Sequence, residues 1–410
     1  NNIFKGFSTE VFMLIGIVGK ANVGKSTFFK AATLSEVLIA NYPFATIKPN
    51  HGIGYVKVDC IDKEFNTQCM PRTGFCMNHI RFVPVDLMDV AGLVPGASEG
   101  KGLGNQFLDD LRQADCFIHI IDASGGTTIE GKPVKPGTHD PCEDIKFLEN
   151  ELDLWYLGIL NKVWKTFSRT LSVTRETGGV EKSITKQFSG LKIDEELVKK
   201  AIRQTNLSIE KVTKWSQEDL ASFARMLRIL SKPMIIAANK CDFQESRENI
   251  EKMRAVFPNY LIVPCSADSE LALKEAAKSG LIHYIPGNSD FEIKKQLTDK
   301  QKSALESIKK NVVDVFGSTG VQQVLDKAVF DFLKYIAIFP AGVHKLADSK
   351  GNILPDCYLL PEGSTALDFA YSLHTDIGKN FVKAIDARTG KAVGKDHKLK
   401  NRDALEIATK

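Results

Sequence analysis

The sequence of 410 residues lacks membrane and secretion signals. It contains no run of about 18 uninterrupted apolar residues and no basic N-terminal region followed by an apolar stretch and a cleavage site. We therefore expect a cytoplasmic protein with no membrane partner. The net charge of +4 is too small for a polycation. Any contact with nucleic acid must come from a local basic patch.

Cysteine pairs at C-x-x-C spacing are also missing, although the chain has eight cysteines. Scattered thiols of this kind are typical of a reduced cytosolic protein and argue against a disulfide framework. Three cysteines and a histidine do stand close together, at Cys60, Cys69, Cys76 and His79. A Cys₃His zinc site is one interpretation. Ordinary loop cysteines are favoured, because the two longer gaps match no compact zinc knuckle.

An apolar strand near the N-terminus leads into a GxxxxGKS loop. The glycines let successive N–H groups point at an anion, Lys25 can reach the outer phosphates, and the Ser26 hydroxyl is suited to ligate Mg²⁺. The loop therefore predicts a nucleoside triphosphate as ligand. The residues predicted to bind it here are Gly19, Lys20, Ala21, Asn22, Val23, Gly24, Lys25, Ser26 and Thr27.

A DxxG element follows a second apolar strand, at Asp89 to Gly92. Asp89 can hold Mg²⁺ through water, and the Gly92 N–H can bond the γ-phosphate. The glycine-rich stretch at 93–104 then has the composition of a switch loop. An extended segment at 41–50 offers Thr46 to complete the Mg²⁺ ligands, although a plain structural loop is the alternative there.

The element predicted to read the base is an NKxD sequence, Asn239 to Asp242, at the end of another apolar strand. The Asp242 carboxylate can accept two hydrogen bonds from guanine, whereas adenine offers no donor at that edge. Guanine is therefore preferred. The remaining predicted contacts with the nucleotide are from Asn239, Lys240, Ser266 and Ala267.

These motifs together resemble the Obg-related GTPases, and specifically the YchF (Obg-like ATPase) subfamily in its form with NKxD. The matching segments are NYPFATIKPN at 41–50, DVAGLVPGA at 89–97, GLGNQFLDD at 102–110 and NKCD at 239–242. The sequence departs from the family at Ala21, where proline is usual, and at Ala45, where a threonine is usual. Many members have a tetrad ending in Glu and resemble ATPases, so ATP remains an alternative substrate.

The predicted catalytic residues are Lys25, Gly92 and Asn22. Leu93 stands where Ras-like enzymes have a water-positioning glutamine, and its apolar side chain cannot orient water, so we expect slow intrinsic hydrolysis. In related proteins an asparagine at the position of Asn22 helps to coordinate K⁺. Stabilisation of the loop alone is the alternative role for Asn22. His119 is interpreted as a core histidine and not as a base.

About a hundred residues separate the strand ending near Asp122 from the strand beginning at Pro233, far more than a crossover needs. Helical spacing of apolar residues predicts an inserted antiparallel arm. Residues 161–187 include six basic and two acidic side chains, which gives this segment a net charge of +4. This arm tip could contact RNA phosphates, or it could be a solvated helix face. The resemblance to the YchF subfamily, whose members are associated with ribosomes and RNA, favours RNA contact.

From about Ile336 short strands alternate with turns around one helix, which suggests a β-grasp. This part resembles a TGS domain, and nothing in it looks catalytic, so we interpret it as a binding module. The predicted fold class is α/β. The predicted domains are an N-terminal extension or added remnant at 1–12, a P-loop NTPase G domain at 13–142 and 229–297, an inserted helical, coiled-coil-like arm at 143–228, a helical connector at 298–335 and a TGS domain at 336–410.

The predicted function is that of a Mg²⁺-dependent GTP-binding protein that slowly hydrolyses GTP to GDP and phosphate. It would act as a nucleotide switch linked to ribosome or RNA binding through the arm and the TGS domain, with K⁺ as a further cofactor. One alternative is an ATP-preferring hydrolase of the same family. The other is an RNA- or ribosome-binding adaptor in which the nucleotide is structural.

Overall fold

The computed structural model describes residues 13–33, 50–90, 92, 112–174, 178–343 and 346–410. At positions 163, 165–174, 178, 179 and 187 it describes the backbone alone. The predicted N-terminal extension at 1–12, the segment with Thr46 and the predicted switch loop therefore lie outside the described residues. Within the described ranges, no helix is both long enough and apolar enough to cross a bilayer.

The main sheet of the described chain has seven strands in the order β2-β4-β1-β5-β6-β7, with β3 paired to β4. The strands β4, β1, β5, β6 and β7 are parallel to their neighbours in this order, whereas β2 and β3 run antiparallel to β4. The strands are β1 (Leu14–Val18), β2 (His51–Asp59), β3 (Phe75–Met77), β4 (Ile80–Asp89), β5 (Cys116–Asp122), β6 (Met234–Asn239) and β7 (Ile262–Pro264).

The parallel strands are continuous apolar runs because helices cover both faces of such a sheet. All seven residues of β5 and all six of β6 are buried. The register pairs Val18 with His119, and Asp122 with Asn239. The carboxyl ends of β1, β5 and β6 therefore meet at one edge, which is where open α/β sheets bind ligands.

Helices fill the region between β5 and β6. The long helix Pro141–Thr174 begins with a proline at its first position, where the missing N–H has no helical partner anyway. The other helices of this insertion are Gly178–Phe188, Glu195–Gln204 and Gln217–Ser231, with 3₁₀ turns at Ser189–Leu191 and Ile209–Lys214.

The described side chains of the inserted helices pack against one another and against the main sheet in one buried cluster. This cluster joins Trp155, Tyr156 and Leu220 of the insertion to Phe117 and Met234 of the sheet. The described part of the insertion therefore packs on the face of the sheet. The sequence pattern predicted the helices of the insertion, but periodicity does not say which surface buries the apolar stripe of each helix.

The other helices around the main sheet are Lys25–Thr33, Ser246–Val256 and Ala267–Lys278. A small two-stranded sheet, β8 (Ile282–Tyr284) and β9 (Phe291–Ile293), precedes the connector. The connector contains helices Asp299–Ile308, Asp314–Phe316 and Val321–Lys327, with π turns at Lys309–Val313 and Ala328–Phe332. Gly320 is required between them, since it has φ +82° and an added Cβ would lie 2.0 Å from the Pro264 carbonyl oxygen.

The C-terminal domain is a five-stranded sheet in the order β11-β10-β14-β12-β13. The helix Ala366–Leu373 packs on it through Phe369 and begins with a capping box between Thr365 and Asp368. A short helix, Thr375–Lys379, follows. The strands are β10 (Tyr335–Pro340), β11 (Tyr358–Pro361), β12 (Phe381–Asp386), β13 (Ala392–Val393) and β14 (Ala404–Thr409). This mixed sheet with one main helix confirms the predicted β-grasp.

Candidate nucleotide-binding site

The phosphate loop follows β1 and wraps tightly before the helix Lys25–Thr33. Gly24 has φ +95°, and an added Cβ would lie 2.3 Å from Asn239 Nδ2. Gly19 has φ +150°, and its added Cβ would lie 2.5 Å from the Ile120 carbonyl oxygen. Both positions therefore exclude a side chain. The loop curls at the N-terminus of a helix, where N–H groups and the helix dipole favour an anion.

Lys25 is the cation of this loop. Its Nζ donates a hydrogen bond to the Lys20 carbonyl oxygen at 2.6 Å. Burial lowers the pKa of Lys25, and the charge of Asp89 opposes this shift. Gly92 lies beside the ammonium group, since a Cβ added there would be 3.4 Å from Nζ. The structure therefore brings Lys25, Asp89 and Gly92 together.

Ser26 and Asp89 form an oxygen-rich pair that fits a hard divalent cation. The Ser26 hydroxyl donates to Oδ2 of Asp89 at 3.3 Å. The other carboxylate oxygen, Oδ1, is buried and has no hydrogen-bond partner. Burial also raises the pKa of Asp89. A buried carboxylate oxygen without a partner is costly, and a cation such as Mg²⁺ would satisfy it.

Asn239 links the NKxD element to the phosphate loop. Its Nδ2 donates to the Val23 carbonyl oxygen at 2.8 Å, and its Oδ1 accepts from the Ala267 N–H at 3.0 Å. Lys240 Nζ donates to the Asn22 carbonyl oxygen at 3.1 Å. The asparagine therefore fixes the NKxD element relative to the phosphate loop and to the segment at Ala267.

Asp242 is exposed at the surface of the site. Its Oδ1 accepts a hydrogen bond from the Ser266 hydroxyl at 2.9 Å, and Ser266 also bonds Ser269 at 2.8 Å. The carboxylate is thus oriented by a buried hydroxyl pair while remaining accessible to a ligand. An oriented, exposed acceptor suits recognition of a base that presents two N–H donors.

Two ion pairs of the site were missed by sequence reasoning. Lys240 Nζ lies 2.8 Å from Oδ2 of Asp122, at the end of β5. The Lys20 ammonium is buried 2.8 Å from Asp144 and also donates to the Thr127 carbonyl oxygen. The Lys20 side chain is therefore a structural anchor between the loop and the long helix. Its main chain stays in the phosphate loop.

Asn22 adopts the left-handed conformation, with φ +62°, and its Nδ2 donates to the Gly131 carbonyl oxygen at 2.8 Å. This bond orients the amide within the loop. His119 is buried, and burial together with the charges of Lys25 and Lys20 lowers its pKa to about 3. Its Nδ1 has no hydrogen-bond partner. The core position expected for His119 is observed, but the histidine is not fully hydrogen-bonded.

This geometry defines a P-loop nucleotide-binding fold with a phosphate loop, a DxxG aspartate and an NKxD element at one sheet edge. Three family models match the chain: "50S ribosome-binding GTPase" over residues 14–151, "Obg-like GTPase YGR210-like, G4 motif-containing domain" over 237–342, and "TGS domain" over 348–409. These family matches confirm the predicted arrangement of a G domain followed by a TGS domain.

The chain belongs to the Obg-like, YchF-related family of P-loop GTPases. It is 46% identical to a GTP-binding protein of Methanocaldococcus jannaschii, over 97% of this chain and 99% of that protein. It is 27% identical to a ribosome-binding ATPase YchF of Buchnera aphidicola, over 90% of this chain and 86% of that protein.

Solved structures have the same fold. A GTP-binding protein from Pyrococcus horikoshii matches with a TM-score of 0.76 and 40% identity, covering 97% of this chain and all of that one (100%). The YchF GTPase of Schizosaccharomyces pombe matches with a TM-score of 0.60 and 21% identity, covering 97% of each chain. The second match concerns the fold alone.

Proposed function

We propose that this protein binds Mg²⁺ and GTP, hydrolyses GTP slowly to GDP and phosphate, and acts as a nucleotide switch. The observation that carries the proposal is the Asn239 side chain, which bonds Val23 in the phosphate loop and Ala267 beside the proposed base contact. Phosphate and base recognition are thereby held in one rigid frame. Preorganised donors of this kind are what phosphoryl transfer requires.

Each predicted residue then has a role. Backbone N–H groups of Gly19 to Thr27 and the Lys25 ammonium bind the phosphates, and Ser26, Thr46 and Asp89 hold the metal. Mg²⁺ bound there supplies positive charge against the phosphate oxygens. Gly92 offers its N–H to the γ-phosphate. The base is read by Asp242, with Asn239, Lys240, Ser266 and Ala267 around it.

Preference for GTP over ATP follows from Asp242, whose carboxylate faces donors on guanine and none on adenine. An ATP-preferring enzyme is the second candidate, because several relatives are named ribosome-binding ATPases or Obg-like ATPases. Direct competition between GTP and ATP for the wild-type protein separates the two. Displacement of bound GTP by equimolar ATP would contradict the guanine preference.

Ribosome binding is proposed because the chain matches the family of 50S ribosome-binding GTPases and has relatives named ribosome-binding ATPases. Basic residues of the insertion and the TGS domain are the proposed contacts. We expect co-sedimentation with ribosomes to differ between GDP and a non-hydrolysable GTP analogue. Equal binding in both states would remove the switch. Absence of hydrolysis together with equal binding would favour the adaptor alternative.

Turnover should be faster in KCl than in NaCl. Asn22 uses Nδ2 for its bond to Gly131, so Oδ1 is the atom proposed to approach a K⁺ ion beside the phosphates. A cation there would offset charge on the γ-phosphate as an arginine finger does. The measurement is single-turnover phosphate release at matched ionic strength in the two salts.

The matched variant is Asn22→Gly, which keeps the left-handed backbone and removes the amide. We expect it to abolish the difference between the two salts. An equal loss of rate in KCl and NaCl would instead assign Asn22 to loop stabilisation, and identical wild-type rates in both salts would remove K⁺ from the proposal.

A further inference from the structure

Three thiols and one carboxylate meet beside the antiparallel half of the main sheet. One ligand-type atom from each of Cys60, Asp62, Cys69 and Cys76 lies within 4.8 Å of all the others. The chain achieves this by a 3₁₀ turn at Ile61–Phe65, after which the strand β3 carries Cys76 back to the cluster. The first three residues are buried and Cys76 is half-buried. Four donors thus converge on one small volume.

Asp62 is fully buried and directed into this thiol cluster. Its Oδ2 accepts from the Cys69 N–H at 3.0 Å and lies 3.9 Å from the Cys76 sulfur. His79 Nδ1 lies 2.9 Å from the other oxygen, Oδ1. The sequence favoured ordinary loop cysteines here, and its alternative, a Cys₃His zinc site, had His79 as the fourth ligand. The structure instead places the histidine behind the carboxylate, where it would orient a metal-binding aspartate.

Arg81 gives an independent observation. The residue has no exposed surface, and its Nη2 donates to the Leu354 carbonyl oxygen at 2.5 Å. Its Nε and Nη1 are buried without hydrogen-bond partners. The guanidinium lies over the Phe339 ring, 5.6 Å from its centroid, and close to the Cys69 and Cys60 thiols. One strong hydrogen bond and an aromatic face compensate this buried cation only in part beside neutral thiols, whereas an anionic metal-thiolate group would stabilise it.

We propose that this cluster is a Zn²⁺ site formed by the thiolates of Cys60, Cys69 and Cys76 and the carboxylate of Asp62. Tetrahedral zinc with Zn–S bonds of about 2.3 Å holds its sulfurs roughly 3.8 Å apart, so the ligands need only small movements. Binding forms three Zn–S bonds and one Zn–O bond and releases the thiol protons to solvent. Soft thiolate ligands select zinc over Mg²⁺.

The site has a structural role at the junction with the C-terminal domain. The segment it would fix also donates main-chain hydrogen bonds from Met70 to the Ile353 carbonyl oxygen at 2.9 Å and from Arg72 to that of Pro355 at 2.8 Å. Arg81 bonds the intervening Leu354. Zinc would therefore hold the loop on which residues 353–355 rest. None of the four proposed zinc ligands is among the residues of the proposed nucleotide site.

The first experiment uses the full chain, reduced and metal-free, titrated with Co²⁺ as a spectroscopic probe and then with Zn²⁺. We expect thiolate-to-cobalt charge-transfer bands and the intense visible bands of tetrahedral cobalt, saturating at about one ion per chain. Zinc should displace the cobalt and abolish the bands. Absence of these bands in the reduced protein would overturn the proposal. This holds even if a disulfide among the cysteines is found before reduction.

Variants provide the second test. Cys76→Ser should lose the cobalt bands, whereas Cys142→Ser, at another buried cysteine outside the cluster, should retain them. If Cys76→Ser fails to fold, limited proteolysis of wild type decides instead. We expect a strong chelator to expose the 60–80 segment and the 346–356 segment to cleavage, with protection restored by zinc. Unchanged cleavage after metal removal, or cobalt bands that survive in Cys76→Ser, would contradict the assigned site.

Discussion

Replacing Asp242 by asparagine is expected to reduce GTP affinity by about 10²-fold and to increase affinity for xanthosine triphosphate. Each hydrogen bond to a charged partner contributes about 1.5–3 kcal/mol, so losing one costs roughly 10- to 150-fold in affinity. The asparagine amide nitrogen would also face the guanine 2-amino group, donor against donor. Xanthine has a carbonyl oxygen at that position and would accept from the same amide.

The measurement is competition of GTP, ATP and xanthosine triphosphate for wild type and Asp242→Asn. Asp376→Asn is the matched control, since this exposed aspartate lies in the C-terminal domain, away from the proposed site. We expect the control to bind like wild type. Unchanged GTP affinity in Asp242→Asn would show that this carboxylate does not read the base. An equal gain in affinity for all three nucleotides would instead indicate that the substitution only removes charge repulsion between the carboxylate and the phosphates.

The fold was largely predictable because its strands and main helices carry strong local patterns. In the C-terminal domain, the pattern of the sequence predicts a helix at 365–373 and a strand at 381–385, and the structure has them at Ala366–Leu373 and Phe381–Asp386. The two-residue strand Ala392–Val393 and the short helix Thr375–Lys379 were missed. Elements this short contain too few residues for a hydrophobic period to be detected.

The packing of the insertion could not be predicted in the same way. Its helical spacing was detectable, but the burial of Trp155 and Tyr156 in one cluster with Phe117 of β5 depends on the tertiary arrangement. The most basic part of the predicted arm tip includes Lys165, Arg169 and Arg175, whose side chains lie outside the described residues. Its contact with RNA stays a prediction.

The nucleotide-site motifs were predictable because each is a contiguous run with a fixed chemical purpose. Their supporting contacts were not. Lys20 pairs with Asp144, and Lys240 pairs with Asp122, across more than a hundred residues of chain in each case. One signal was available for Asp122, since it ends a buried strand that neighbours the strand ending at Asn239. Similarly, irregular spacing concealed the convergence of Asp62 with three cysteines.

Asn239 and Lys25 have different proposed roles in catalysis. Among the described residues, the Asn239 side chain bonds main-chain atoms of Val23 and Ala267, so its proposed role is to position the loops. Lys25 is the group that would contact the proposed reacting phosphate. Its Nζ donates to the Lys20 carbonyl oxygen and lies beside Gly92, whose N–H is proposed to bond the γ-phosphate.

Replacing Lys25 by methionine is therefore expected to lower single-turnover GTP hydrolysis by about 10²–10³-fold, the usual cost of removing one preorganised transition-state donor. Methionine retains much of the buried stem and removes the charge. Lys30→Met is the matched control, because Lys30 lies on the same helix with 63% of its side chain exposed. Phosphate release and the affinities for GDP and GTP are measured for both variants.

We expect Lys30→Met to hydrolyse GTP at the wild-type rate. For Lys25→Met, GDP affinity should fall less than the hydrolysis rate, since the ammonium is assigned to charge that develops on the outer phosphates during transfer. A parallel loss of GDP binding and hydrolysis would mean that Lys25 binds ground and transition states equally. A wild-type rate in Lys25→Met would show that hydrolysis, if present, does not use this loop.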